Sequence, residues 1–122
     1  MKKLSESYVI EKKSKFYGFM YLINSESEVN DILDSLRKEH KKSKHICYAY
    51  KSGNIVRKNE DKEPSNTAGL PILEVILKNN LDNTLIVVVR YFGGTLLGRG
   101  LLTRTYSKCA RELLSNKDNL NT

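Results

Sequence analysis

The run TLIVVVRYF, residues 84–92, constrains the fold more than any other part of the chain. Five consecutive apolar residues, four of them β-branched, leave no polar side for water, so the run reads as a strand buried on both faces. It leads into RYFGGTLLGRG, residues 90–100, where four glycines fall within eight positions. Glycine does not continue a strand of this kind, and a helical pattern takes over at residue 99. Leu102, Tyr106, Cys109, Ala110 and Leu113 share one helical face, and Arg104, Lys108 and Arg111 form a basic stripe at i, i+4, i+7. The helix is expected over 99–115, with residues 116–122 as a disordered, frayed tail.

Upstream, residues 6–13 and 15–23 read as two strands broken near Lys12, Lys13 and Ser14. A helix follows, with Val29, Ile32, Leu33 and Leu36 on its apolar face and Ser25 with Glu28 as a capping box. It is expected to end near His40. HICYAYK (45–51) and NIVRK (54–58) read as a pair of strands joined through Ser52-Gly53. The turn-rich stretch 59–71 enters a short apolar helix, ILEVILKNN, with Pro71 tolerable in its first turn. The order β-β-α-β-β-α-β-α predicts an α+β two-layer sandwich, a mostly antiparallel sheet with helices on one face.

A chain of 122 residues fits one domain, taken as 1–115. No apolar run approaches the ~20 residues of a membrane span, and the start lacks the apolar core of a signal peptide. Two cysteines, Cys47 and Cys109, with no C-x-x-C pair suit a reducing cytoplasm. The formal net charge is +7, which favours an anionic partner. No carboxylate stands between Asp82 and Glu112, whereas Arg90, Arg99, Arg104, Lys108 and Arg111 do. The basic surface is therefore expected in the last third, and the amino-terminal lysines, interleaved with glutamates, read as solvated surface.

Three stretches hold candidate chemistry. Gly93 to Gly98 has the G-x-x-x-x-G spacing of a phosphate loop, but Arg99-Gly100 stands where Lys and a Mg²⁺-binding Ser or Thr belong. A nucleotide-hydrolase site is therefore poorly supported. Two readings stay open for the glycines: a tight strand–helix corner, or an anion or nucleic-acid site. In the second, backbone amides approach the ligand while Arg90, Arg99, Arg104 and Lys108 supply charge. In EDKEPSNTAG, Glu63, Ser65 and Thr67 form a possible ligand loop, although Ser and Thr before a helix are usually caps. In HICYAY, His45 and Cys47 share one strand face but fall short of a zinc site. Tyr48 and Tyr50 occupy the other face, as core residues or as rings that stack on bases. No metal, cofactor or catalytic group is assigned.

HICYAY, EDKEPSNTAGLPILEVI and VVVRYFGGTLLGRGLLTRTYS, in this order and spacing, resemble the YigZ/IMPACT family over residues 14–114. The resemblance implies the fold of the second domain of a small-subunit ribosomal protein, shared with domain IV of elongation factor G and with GHMP-class small-molecule kinases. It implies a role in regulation of translation or stress response. Eukaryotic members are similar to a regulator that binds the ribosome-associated activator of the amino-acid-starvation kinase. The family's motif positions are His45, Glu63, Pro64, Ser65, Thr67, Ala68, Gly69, Arg90, Tyr91, Gly93, Gly94, Gly98, Gly100, Arg104 and Tyr106. Lys62 and Asn66 replace two glycines that the family often has, which suggests a stiffer loop; Arg99 and Leu101 also depart from it. Bacterial relatives commonly carry a second, ferredoxin-like domain, and this sequence stops at Thr122.

These observations favour a non-enzymatic nucleic-acid or ribosome-associated binding module. The nucleic-acid surface would comprise Arg90, Tyr91, Gly93, Gly94, Gly98, Arg99, Gly100, Arg104 and Lys108, with His45, Glu63, Ser65 and Thr67 in the ligand loop. An enzyme acting on a small phosphorylated metabolite and a protein–protein interaction module are the alternatives.

Overall fold

The computed structural model describes residues 2–120, with side chains through Lys117. Its elements are β1 (Lys2–Glu11), β2 (Ser14–Leu22), α1 (Glu26–Glu39), β3 (His45–Ser52), β4 (Ile55–Asn59), α2 (Gly69–Lys78), β5 (Thr84–Tyr91) and α3 (Arg99–Leu120). The strands form one sheet in the order β1-β2-β5-β3-β4, every neighbouring pair antiparallel. The α+β class and the element order are as expected, and TLIVVVRYF becomes the central strand.

The arrangement of helices differs from the expected two layers. Ile86 and Val88 of β5 pack with Ile72 and Ile76 of α2 and with Leu102, Tyr106 and Leu113 of α3. Leu85, Val87 and Val89 face the other way, onto Val29, Ile32, Leu33 and Leu36 of α1. The sheet is therefore the middle of three layers, which is how β5 comes to be buried on both sides.

The hand of the connections explains the difference. β2-α1-β3 and β4-α2-β5 each join parallel strands across one intervening strand. They run in opposite lateral directions on oppositely directed strands, so equal handedness would put both helices on one face. Because α1 and α2 lie on opposite faces, one crossover is left-handed. That departs from a rule obeyed by about 98% of such connections.

Local chemistry holds the ends of the elements. The β1–β2 hairpin turns through Lys12 and Lys13, both in the left-handed region (φ 46° and 70°). Ser25 stands at the α1 N-cap without a side-chain cap bond. Glu28 accepts from the backbone amide of Asn24, the residue before the cap, at 2.9 Å, a bond displaced by one residue from that of the expected capping box. Ser5 and Ser7 of β1 donate to the Leu113 and Cys109 carbonyls of α3, each at 2.8 Å. α3 runs beyond the expected end at 115: Asn116 Nδ2 donates to the Glu6 carbonyl at 2.6 Å. Helix replaces the expected frayed tail through Leu120, and residues 121–122 of that tail lie outside the described residues.

Candidate anion-binding site

Register decides what the glycine stretch sits on. β5 pairs Arg90 with Phe16 on one side and His45 on the other. All three side chains therefore project to the α2/α3 face, beneath the loop that carries Glu63. That loop turns through Asp61, Lys62 and Asn66, with φ of 44°, 68° and 64°. The two positions where the family often has glycine are thus left-handed positions, which glycine occupies without steric cost.

Glu63 is the hub. One carboxylate oxygen accepts from Arg90 Nη1 at 2.8 Å and from the Tyr106 hydroxyl at 2.6 Å. The other lies 3.4 Å from His45 Nε2. His45 Nδ1 donates to the Asp61 carbonyl at 2.6 Å, and Asp61 in turn accepts from the Ile46 amide. Arg90 Nη2 donates to Ser14 Oγ at 3.3 Å, and its guanidinium lies 5.5 Å from the Phe16 ring centroid and 5.9 Å from that of Phe92. Arg90, Glu63 and His45 are each below one-tenth exposed.

This overturns the assignment of Arg90 to phosphate. Its charge is already neutralised by a buried carboxylate, and an ion pair broken in that environment leaves an uncompensated charge. The ligand-loop reading changes too. His45 and Glu63 do meet, but inside the protein. Thr67 is buried and donates to the Pro64 carbonyl at 2.6 Å. Neither Ser65 nor Thr67 caps α2; Glu60 does so from outside the helix, accepting from the Ala68 and Leu70 amides at 3.3 and 3.1 Å. Cys47 Sγ sits 3.4 Å from the Tyr106 hydroxyl. Burial pushes both the Cys47 thiol and the Tyr106 phenol well above their ordinary ranges, so neither is an activated nucleophile. Among the described residues no group of three His, Cys, Asp or Glu side chains gathers as a metal would need. Tyr50 is a core residue that donates to Glu26 at 2.5 Å.

The glycines divide by role. A Cβ on Gly93 would stand 2.1 Å from the Lys13 carbonyl carbon and 2.3 Å from the Ser14 nitrogen. Gly93 therefore lets β5 close against the β1–β2 turn, and its amide donates to Ser14 Oγ at 3.2 Å. Gly94 and Gly98 adopt φ of +92° and +76°, the conformation a sharp corner needs. Gly100 has neither constraint; only the Arg104 Nη1 end comes close, at 3.3 Å from its notional Cβ. Tyr91 leaves this face altogether, its hydroxyl 2.6 Å from His40 Nδ1 at the end of α1.

What stays outward is the start of α3. Its first backbone hydrogen bond runs from Leu102 N to Gly98 O at 3.0 Å, so the amides of the first turn have no intrahelical acceptor. Arg99 is exposed and donates to the Ser65 carbonyl at 2.7 Å. Arg104 folds back over Gly100, and no acidic residue occupies the first turn. Further along, Arg104, Ser107 and Arg111 line a cleft of about 350 Å³ against Glu74 and Lys78 of α2; Lys108 is exposed beside it.

Sequence reasoning missed the lysines of the β1–β2 turn. Lys12 and Lys13 line a depression together with Gly93, Gly94 and Thr95. Only the sheet order brings them there, because they lie about 80 residues from those glycines.

Residues 12–114 match the family described as Impact N-terminal domain. The chain is 39% identical over 119 residues to IMPACT family member YvyE of Bacillus subtilis (strain 168), covering 95% of this chain and 55% of that protein. It is 33% identical over 100 residues to IMPACT family member YigZ of Escherichia coli (strain K12), covering 78% and 49%. A crystal structure of a hypothetical protein superposes with a TM-score of 0.85 at 30% identity, over 93% of this chain and 59% of that one. The two-domain translational regulator Yih1 shares the fold, with a TM-score of 0.57 at 22% identity, over 94% and 46%. The chain thus spans about half the length of these relatives. Among the described residues no helix is long and apolar enough to cross a membrane.

Proposed function

The chain belongs to the Impact N-terminal domain family, and from that premise we propose that it is a non-enzymatic module that binds RNA, in the setting of the ribosome and of translational regulation. That reading puts the protein in the cytoplasm. A relative by fold, Yih1, is a translational regulator. The observation that carries the proposal is the start of α3. Unpaired amides, Arg99 and Arg104 converge there with no carboxylate in the first turn. Like charges beside the positive end of a helix repel, and a phosphate relieves that repulsion. Lys108 and Arg111 extend the positive field along the helix.

Ribosome co-sedimentation at low and high salt, with RNA affinity measured across a salt series, tests the reading. Retention is expected at low salt and loss at high salt, with a log–log slope of about −0.7 to −0.9 per phosphate neutralised. Arg99→Ala plus Arg104→Ala should weaken binding and flatten the slope. Unchanged affinity and slope would refute the proposal. Specific stabilisation by a small phosphate ester, without RNA affinity, would favour an enzyme instead.

A second reading, a protein–protein interaction module, is favoured by Leu96, which is 84% exposed on the glycine loop. A partner kept after nuclease treatment and released by Leu96→Asp would support it.

A further inference from the structure

We infer that the corner where the β1–β2 turn meets the end of β5 is a stacking platform for single-stranded RNA, separate from the start of α3. The inference rests on the RNA reading above and adds to it where, and in what form, the nucleic acid lies.

The corner belongs to the sheet face that α1 covers only in part. Tyr8 pairs with Tyr17 across β1 and β2, and Lys15 pairs with Tyr91 across β2 and β5. Tyr8 is 46% exposed and Phe92 47%. The rings support one another: Tyr8 and Tyr17 have centroids 4.8 Å apart, and Tyr17 meets Tyr91 edge-on at 5.7 Å. His40 fixes the Tyr91 hydroxyl from behind. Tyr17, Tyr91 and Phe92, with Lys13 and Lys15, line a shallow depression of about 240 Å³. The depression beside the glycines shares Lys13 with it.

Lysines line this depression and stand on the segments beside it. Lys12, Lys13 and Lys15 come from the hairpin. Lys41, Lys42 and Lys44 come from the α1–β3 link, which is tied to the same edge by the bond from Lys44 N to Arg90 O at 2.8 Å. All six are exposed, and none has a carboxylate partner among the described residues. Glu11 points to the opposite face; Glu39 acts on Tyr91, and Glu6 lines the neighbouring depression with Tyr8 and Tyr17. A two-residue hairpin turn with positive φ at both positions ordinarily takes Asn-Gly; here both positions are lysine.

Aromatic rings on rigid strands, rimmed by unpaired cations, match a strand whose bases are free to stack while its phosphates meet lysine. A duplex hides its base faces and cannot stack on the rings.

Fluorescence anisotropy with a labelled single-stranded oligouridine and a duplex of equal length tests the inference. Single-strand affinity should fall about tenfold in Phe92→Ala and in Tyr8→Ala, and Phe92→Trp should keep it. Lys13→Ala plus Lys15→Ala, on exposed positions that leave the fold intact, should reduce the salt slope by about 0.7 for each phosphate that the variant no longer neutralises. Arg104→Ala plus Arg111→Ala should weaken the single strand and the duplex alike, whereas the aromatic variants should weaken the single strand alone. Loss only in that α3 variant would overturn the platform and leave the RNA reading standing. Loss in the lysine variant but in neither aromatic variant would also overturn it. No RNA binding by the unmodified protein refutes both, as would a nuclease-resistant protein partner released by Phe92→Ala without RNA affinity.

Discussion

Arg90 and Arg99 stand nine positions apart at the two ends of one glycine turn, and the structure gives them opposite employment. Arg90 is 5% exposed, paired with Glu63 and in cation–π range of the Phe16 and Phe92 rings. Arg99 is exposed and donates to a backbone carbonyl. In the interior a charge must be matched at once by a partner, so Arg90 serves to clamp the loop of Glu63 onto the sheet. At the surface, water solvates Arg99, and its field remains available to a polyanion. One residue type therefore does structural work on one side of the turn and supplies the candidate binding charge on the other.

The largest break in this contrast should come from Glu63→Ala. It strands the Arg90 guanidinium and the Tyr106 hydroxyl, and a loss of about 3–5 kcal/mol in urea unfolding is expected. A loss below about 1 kcal/mol would show that the cluster is not what anchors the loop. Gly93→Ala comes next. Its methyl would collide with the Lys13 backbone, with an expected cost of about 1–3 kcal/mol read from the same titration. Arg99→Ala plus Arg104→Ala should change stability by less than about 1 kcal/mol while reducing RNA affinity. A stability loss comparable to that of Glu63→Ala would erase the distinction between the two arginines. The smallest effect has the opposite sign. Gly100 lies in α3 with normal φ and only a flexible arginine tip nearby, so Gly100→Ala should stabilise by about 0.5 kcal/mol. A Tm that falls would indicate that the Arg104 tip cannot move aside.

Much of the site was legible in part. The exposed cations Arg104, Lys108 and Arg111 follow from helical spacing, because a stripe at i, i+4, i+7 opposite an apolar face has nowhere to go but outward. Gly94 and Gly98 were legible as a corner. Arg90 was not legible, since its partners Glu63 and Ser14 lie 27 and 76 positions away. The lysine turn was misread for the same reason. In sequence it neighbours glutamates, whereas in space it neighbours Gly93 and Phe92.

By itself the sequence determined the elements, their order and the burial of β5 on both faces. Each of these depends on the periodicity and turn chemistry of contiguous residues. Burial on both faces already demanded cover on both, so the expected two layers conflicted with the chain's own pattern. Only the tertiary structure decided that α1 supplies the second cover, that Glu63 takes up the charge of Arg90, and that Lys13 and Lys15 gather with Tyr17, Tyr91 and Phe92. The hand of a crossover and the register of distant strands are settled by which packing buries the most apolar surface while pairing every buried charge. That is a property of the whole chain at once.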